Sequence, residues 1–396
     1  MRTAHEHALA ALALAPAPVP VEAGLRDAHG HVTAAPVTAS VDSPPFDNSA
    51  MDGFAVQWAD VRSANPDAPV TLPLVGESRA GVPFSAVLAP GSAIRIMTGA
   101  PMPAGADTVV PLEVTSSDVH AVTIQEVRDE GAHVRRRGED ARTGDEVIGS
   151  GVELSARHLA AAAAVGAARL QVFRSPRVGI LSTGDELAPL GAPLGPGQIH
   201  ESNSVLLDGA VRAAGGVPVL LGPVGDTEAE VVAAIRRDDV DLIVTTGGVS
   251  VGAYDVIKAA LAGLGVDFMT VAMQPGKPQG LGSVDGMPLL CLPGNPVSVA
   301  VSFELFVLPV IRAMRGLPGQ LAWASATVSE GWSSPAGREQ FMPVRWEAGS
   351  VARATGRGAG SHLMARLALA DGLARVPASV TEVRAGDSLE FRRFSG

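Results

Sequence analysis

The sequence predicts a multidomain α/β protein whose central domain is a doubly wound sheet over residues 176–317. Three observations carry that expectation. Between 176 and 317, short apolar runs alternate with segments of helical period, the pattern of strands joined by helical crossovers in a parallel sheet covered on both faces. Residues 46–140 carry short β-type runs broken by glycine and proline, such as TLPLVGESRAG, ADTVVPLEV and AVTIQEV, and read as a small β-rich module. Residues 318–396 return to short strands and turns and read as a small all-β barrel or sandwich.

The elements follow in order. A helix over 6–15 gives way to extended chain at Pro16, Pro18 and Pro20, since proline removes a helix donor. An alanine-rich helix covers 157–165 with Ser155 as its N-cap, alanine being the best helix former. In the central domain, 178–181 is a strand and 203–214 an amphipathic helix stopped by Gly215 and Gly216. Next come a strand over 217–221 and a helix over 226–236 capped by Asp226. A strand over 242–245 and a helix over 254–264 precede strands at 266–272 and 288–292. A long apolar helix over 296–314 has proline in its first turn, where a missing N–H costs nothing.

Composition narrows the function classes. A chain of 396 residues suggests about two to four domains. Aspartate and glutamate number 41 against 30 lysines and arginines, a net charge of −11. Such a surface repels phosphates of nucleic acids, so no nucleic-acid partner is expected. One cysteine, Cys291, excludes an internal disulfide framework and a cysteine-built zinc or iron–sulfur site. The apolar stretch 8–21 follows Glu6, has only Arg2 as a nearby base and is broken by prolines, which argues against a secretion signal. The alanine-rich stretch 159–168 is about half the length of a membrane span. A cytoplasmic protein without membrane association is expected.

In open α/β sheets, ligands bind beyond the carboxyl ends of the strands. Three strand ends here carry polar loops. STGDEL supplies Thr183, Gly184, Asp185 and Glu186; TGGVSVGAYD supplies Gly247, Gly248, Ser250, Gly252 and Asp255; LPGNP supplies Pro293, Gly294, Asn295 and Pro296. Each alone is what a plain turn or helix start also uses; three at one sheet edge point to a ligand. Glycines let backbone N–H groups approach a phosphate with a helix N-terminus behind them. The chain has two lysines, Lys258 and Lys277. Lys277, in the QPGKPQG loop, is either a solvated loop residue or a point charge for an anion. Asp185, Glu186 and Asp255 flank the same edge, and carboxylates beside a phosphate site imply a divalent metal. Asp226 is equally a helix cap.

Outside that domain, PPFDNSAMDGFAV (44–56) is dense in turn residues, with Asp47, Asn48, Ser49, Asp52 and Gly53 interrupted by Met51 and Phe54. RIMTGAPMP places Thr98 and Gly99 at a strand end, and RRRGED (135–140) is a basic run. That run reads either as a solvated face or as a site for an anion or an acidic partner. There is no GxSxG or HExxH, and the nine histidines show no metal-ligand spacing. Phosphorus chemistry by positioning and electrostatics fits better than covalent catalysis.

Seven motifs in order, PPFDNSAMDGFAV, RIMTGAPMP, RRRGED, ILSTGDEL, TTGGVSVGAYD, PGKP and LPGNPVS, resemble the MoeA family, the molybdopterin molybdenumtransferases. The resemblance runs over nearly the whole chain. It implies four domains: a split N-terminal domain from 1–45 plus 141–175, a β-rich module over 46–140, an α/β domain over 176–317 resembling the molybdopterin adenylyltransferases, and a C-terminal β-barrel over 318–396. It implies an elongated L-shaped homodimer with its active site between subunits, and insertion of molybdate into adenylylated molybdopterin with release of AMP in a Mg2+-dependent step. Carried over by motif, the catalytic positions are Asp52, Thr98, Asp140, Glu186, Asp226 and Asp255. Lys277, Pro293 and Pro296 join them in binding, with Thr183, Gly184, Gly247, Gly248, Ser250, Gly294 and Asn295 from the loops. Ser298, Arg338 and Ser361 match the family's molybdate pocket, and Asp185, Glu186 and Asp255 are the metal candidates. Two departures are Gln274, where many members carry lysine, and Phe54, where many carry tyrosine. The molybdopterin adenylyltransferase is the expected partner for substrate hand-over.

The nearest alternative function is adenylylation of molybdopterin by ATP, because the α/β domain is shared. The β-rich module and SAMDG argue against it. A non-catalytic paralogue or scaffold is the other, and a scaffold is expected to carry an appended domain or long linker. Molybdate and tungstate share charge and shape, so the sequence does not separate them.

Overall fold

The computed structural model describes residues 1–396 apart from 223, 225, 226, 250–255, 355–363 and 395–396. The chain forms two compact units, one of Met1–Val21, Gly30–Ala34 and Val172–Gly396, the other of Glu22–His29 and Ala35–Gln171.

The larger unit is organised around a six-stranded sheet. Its order is Val217–Leu220, Arg177–Ser182, Leu242–Thr246, Met287–Leu292, Pro278–Val284 and Val266–Thr270. The first four strands are parallel. The last two join antiparallel, so the sheet is mixed rather than wholly parallel as expected. The cause is local. Pro278–Val284 and Met287–Leu292 are linked by Asp285 and Gly286, both at positive φ, 51° and 86°. A two-residue Asp-Gly turn with that geometry closes a hairpin, and Pro278–Val284 is the one strand of this sheet that the periodicity does not show.

Both faces of the sheet are covered, which is why its strands are continuously apolar. Leu242, Val244, Leu290 and Leu292 face a core with Leu207, Phe303 and Phe306. Ile243, Leu289 and Cys291, one residue out of phase, face another with Val231, Ile257 and Leu261. The helix Asn203–Ala213 ends before Gly215, whose φ is 79°. The next helix spans Glu228–Ile235, and its cap is Thr227, whose side chain accepts from Glu230 N. This corrects the expected cap at Asp226, which lies outside the described residues. The helix expected over 254–264 is described as Val256–Leu261.

The long apolar helix divides into Pro296–Ser302, a π turn Phe303–Val307, and Leu308–Met314. Pro309 cannot donate to a carbonyl one turn back, and the ladder widens just before it. By length and hydropathy this segment could cross a membrane, yet 89% of its apolar window is buried inside the protein, as in a core helix. The N-terminal helix Ala4–Leu12 starts earlier than expected because Thr3 and Glu6 form a capping box, satisfying two free N–H groups. It sets His7 edge-on against Phe306, ring centroids 4.6 Å apart.

Five strands of the same unit close on themselves: Glu339–Glu347, Ser350–Arg353, Ala324–Val328, Ser388–Arg393 and Gly372–Val376. Closure decides for a barrel over a sandwich and removes the sheet's free edges. Val328, Val344, Val351, Val376 and Phe391 fill its interior. Met273–Gln274 pairs in parallel with the start of Glu339–Glu347.

The smaller unit holds a six-stranded sheet ordered Thr108–Pro111, Gly53–Val56, Ala93–Ile96, Val70–Ser78, Ala121–Ile124 and Thr115–Ser117. Phe54 and Val56 face one core and Ala55 another, so the strand Gly53–Val56 is central and buried on both sides. The helix Ala156–Ala164 begins after Ser155, whose N–H donates to His158 Nδ1 at 3.1 Å.

Candidate functional site

A cleft of about 690 Å³ lies at the carboxyl edge of the parallel strands. Its position follows from register: Ser182 pairs with Thr246 and Thr246 with Leu292, so three strands end level and their loops meet. Thr183, Gly184 and Glu186 line it from the first loop, Gly247 and Gly248 from the second, and Pro293, Gly294, Asn295 and Pro296 from the third. Lys277 faces it from the proline–glycine loop, and Ser298 from the first turn of the core helix.

The glycines are required here by space. Gly247 has φ 87°, and a Cβ on it would stand 2.9 Å from the Thr183 carbonyl oxygen. Gly294 approaches it so closely that its own Cβ would lie 3.4 Å from Gly247 Cα. Two backbones thus meet without side chains between them, leaving peptide groups to face a ligand. Asn295 and Pro296 start the core helix, whose N-terminal N–H groups favour an anion.

Beneath the floor lies a buried polar network. Glu201, 7% exposed, accepts from Ser204 N at 2.9 Å, Ser182 Oγ at 3.3 Å and Ser204 Oγ. Asn203 Nδ2 donates to Gly294 O at 2.8 Å, tying the third loop to the helix Asn203–Ala213. Asn203 Oδ1 is buried with no partner, as polar atoms at functional sites sometimes are. Lys277 is exposed and makes no ion pair among the described residues. Its charge is therefore available to an anion.

The structure does not gather every expected residue into this cleft. Asp185 sits in the exposed turn beside it without lining it. Arg338 is not among its lining residues either; it stands one residue before Glu339, which pairs with Met273. Asp226, Ser250, Asp255 and Ser361 lie outside the described residues. Ile199, His200, Ser202, Asn203 and Gln274 line the cleft and were not assigned from sequence, except that Gln274 was noted as a departure. The polar run HESNS was the available signal, of which only Asn203 and Ser204 entered the sequence reading, inside the helix expected over 203–214.

The smaller unit carries its own cluster. Asp52 Oδ1 accepts from Thr98 N at 2.7 Å and Thr98 Oγ1 at 2.9 Å. The Thr98 N–H, then its hydroxyl, and the charge of Arg95 hold the Asp52 carboxyl below the usual carboxylate range. Asp140 Oδ2 accepts from Ser43 Oγ at 3.2 Å. The basic run is largely consumed internally: Arg136 pairs with Asp47 at 2.8 Å and Arg137 with Asp42 at 2.5 Å. The Asp42 carboxyl is pulled down to about 2, first by the Thr143 backbone N–H and then by Arg137. Neither of the two readings of the run included these internal pairs, which Arg136 and Arg137 make while staying largely exposed.

Fold and site together define a class: a multidomain α/β protein with a closed β-barrel and a cleft at the carboxyl edge of its parallel strands. Three family models match in series: the MoeA N-terminal region (domain I and II) over residues 1–166, a probable molybdopterin binding domain over 179–313, and the MoeA C-terminal region (domain IV) over 325–394. Molybdopterin molybdenumtransferase 2 of Mycobacterium tuberculosis is 44% identical over 402 residues, covering 98% of this chain and 99% of the relative. The molybdopterin molybdenumtransferase of Nostoc sp. is 41% identical over 297 residues, 73% of this chain and 68% of the relative. A crystal structure of a molybdopterin biosynthesis MoeA protein from Pyrococcus horikoshii superposes with a TM-score of 0.84 at 30% identity, covering 100% of this chain and 99% of that one. The chain belongs to the MoeA family.

Proposed function

We propose that this protein inserts molybdate into adenylylated molybdopterin with release of AMP. The observation that carries the proposal is the cleft itself. Three glycine-bearing loops and a helix N-terminus meet there with Lys277, which has no ion pair among the described residues, in a chain whose 44%-identical relative bears the name molybdopterin molybdenumtransferase. The loop glycines and the start of the core helix hold the phosphates. Lys277, with Ser298, holds the oxyanion. Water attacks the adenylyl phosphorus and AMP leaves directly, or a molybdate oxygen attacks it and water then cleaves the adenylyl molybdate to AMP and molybdate; in both, the bond to the molybdopterin phosphate breaks and that phosphate stays on molybdopterin. The whole-chain relation disfavours the adenylyltransferase reading.

Magnesium is part of the proposal. Among the described residues no group of three His, Cys, Asp or Glu could cage a metal. Magnesium commonly takes only one or two carboxylates and completes its shell with water and substrate phosphates, so Glu186 at the cleft fits it; the motif assignment adds Asp185 and Asp255 as further candidates. Bound there, it would offset the charge developing on the phosphates. The proposal extends to a cytoplasmic homodimer in which Asp52, Thr98 and Asp140 complete the cleft of the partner subunit. It extends also to an adenylyltransferase that hands over substrate.

The test is AMP release by purified protein from adenylylated molybdopterin with magnesium, with and without molybdate. Release that depends on molybdate supports the reading, and a well-folded protein that releases none overturns it. Asp255→Ala is expected to abolish release and leave the oligomer intact; full turnover there removes Asp255 from the assignment.

A further inference from the structure

Gln279 follows the loop that carries Lys277, and its amide is 1% exposed. Its Nε2 donates to Gly276 O at 2.7 Å and to Ser302 Oγ at 2.8 Å. Ser302 is fully buried and lies one helical turn beyond Ser298, which lines the cleft. One amide therefore joins the two walls: the loop of Pro275, Gly276 and Lys277, and the core helix behind Ser298. The fit behind the loop is close. A Cβ on Gly276, whose φ is 92°, would meet Ser302 Oγ at 3.1 Å and Gln279 Nε2 at 3.3 Å. The loop's other anchor is Lys277 O, which accepts from Val271 N at 2.8 Å.

Gln279 Oε1 is buried with no partner. A leucine would fill similar space without stranding an acceptor, so an amide that served only to pack is a poor choice there. What the amide adds is two donated bonds, both to groups that fix the cleft. Lys277 is a flexible cation on an exposed stem, and a point charge binds an anion well only where its backbone is held still.

We infer that Gln279 and Ser302 are positioning residues that hold the Lys277 loop against the core helix and so set the oxyanion affinity of the cleft. This rests on the proposed reading of the cleft as an oxyanion site. Neither residue touches the ligand; each acts through Lys277.

The experiment has two arms on the full-length protein. Hydrogen exchange followed by mass spectrometry reads the 271–282 segment without any ligand. Equilibrium binding of molybdate alone, by calorimetry, reads the anion site. Gln279→Leu is expected to raise exchange in 271–282 and weaken molybdate about tenfold, the size of one lost hydrogen bond to a positioned group. Ser302→Ala, which removes only the acceptor, does the same to a smaller degree and guards against a leucine variant that fails to fold. In a Lys277→Ala background, Gln279→Leu adds no further loss, because the two act as one unit. Unchanged exchange overturns the inference. So does raised exchange with parental molybdate affinity, or a loss that adds fully to that of Lys277→Ala. If the parent binds no molybdate, the oxyanion reading fails, and with it the claim about affinity; the exchange arm then decides separately whether Gln279 holds the loop.

Discussion

Gly247→Ala perturbs the close approach of two loops at the cleft. The residue has φ 87°, and placing an L side chain in the left-handed region costs about 1–2 kcal/mol. The new methyl would stand 2.9 Å from Thr183 O and 3.6 Å from Thr183 Oγ1. Its nearest neighbour is a backbone carbonyl, so the strand end must move, and such overpacking costs about 1–3 kcal/mol. The total is about 2–5 kcal/mol, taken from the sum of those two effects. The displaced loops are those of Thr183 and Gly294, so turnover falls with stability. Urea denaturation followed by circular dichroism, together with AMP release, measures both. A variant that unfolds within about 0.5 kcal/mol of the parent, the range of an ordinary surface substitution, and turns over normally would refute the close-approach reasoning.

Three further predictions follow from single residues. His7 is 1% exposed and packed on Phe306; burial pushes its imidazole down to about 4 from 6.5. Above pH 6.5 it is neutral folded or unfolded; as pH falls toward 4 only the unfolded chain takes up the proton, and about 3 kcal/mol of stability is lost. Calorimetric scans across that window should show a steeper acid decline in the parent than in His7→Leu; equal slopes would remove His7 as the cause. The Cys291 thiol is fully buried and pushed up to about 12 by desolvation, so a disulfide reagent should leave the native protein unlabelled at pH 8 and modify one thiol per chain in denaturant. Rapid native labelling would contradict its burial. Asp52→Asn keeps a carbonyl oxygen for Thr98 N and removes the charge, so AMP release should fall more than about tenfold with the melting temperature unchanged; normal turnover would take Asp52 out of the chemistry.

How much was legible in the sequence depended on the kind of signal. The alternation of strands and helices was clear because a sheet covered on both faces makes its strands continuously apolar, as in Leu242–Thr246. The strand Pro278–Val284 was hidden by two glycines and a proline that weaken its pattern; the Asp285–Gly286 turn was the better clue. The cleft loops were readable because glycine and proline at strand ends leave backbone exposed, and Thr183, Gly184, Gly247, Gly248, Lys277 and Gly294 do line one cavity. Asn203 was missed because a polar residue before a helix reads first as part of its start, and only its bond to Gly294 shows otherwise. Arg338 stands one residue before the Met273–Glu339 pairing and outside the cleft's lining, a placement that motif position alone does not report. The pairing of Arg136 and Arg137 with Asp47 and Asp42 spans about ninety residues of chain, a separation no local pattern reports.

The central claim is that this cleft couples an oxyanion to cleavage of an adenylyl phosphate. The most direct measurement is AMP release from adenylylated molybdopterin by the parent and by Lys277→Ala over a range of molybdate concentrations. The account predicts molybdate-dependent release by the parent, with a half-saturating molybdate concentration about tenfold higher in Lys277→Ala, as expected when one charged contact to the anion is lost. Release that ignores molybdate, or a Lys277→Ala protein with the parental concentration dependence, would contradict it.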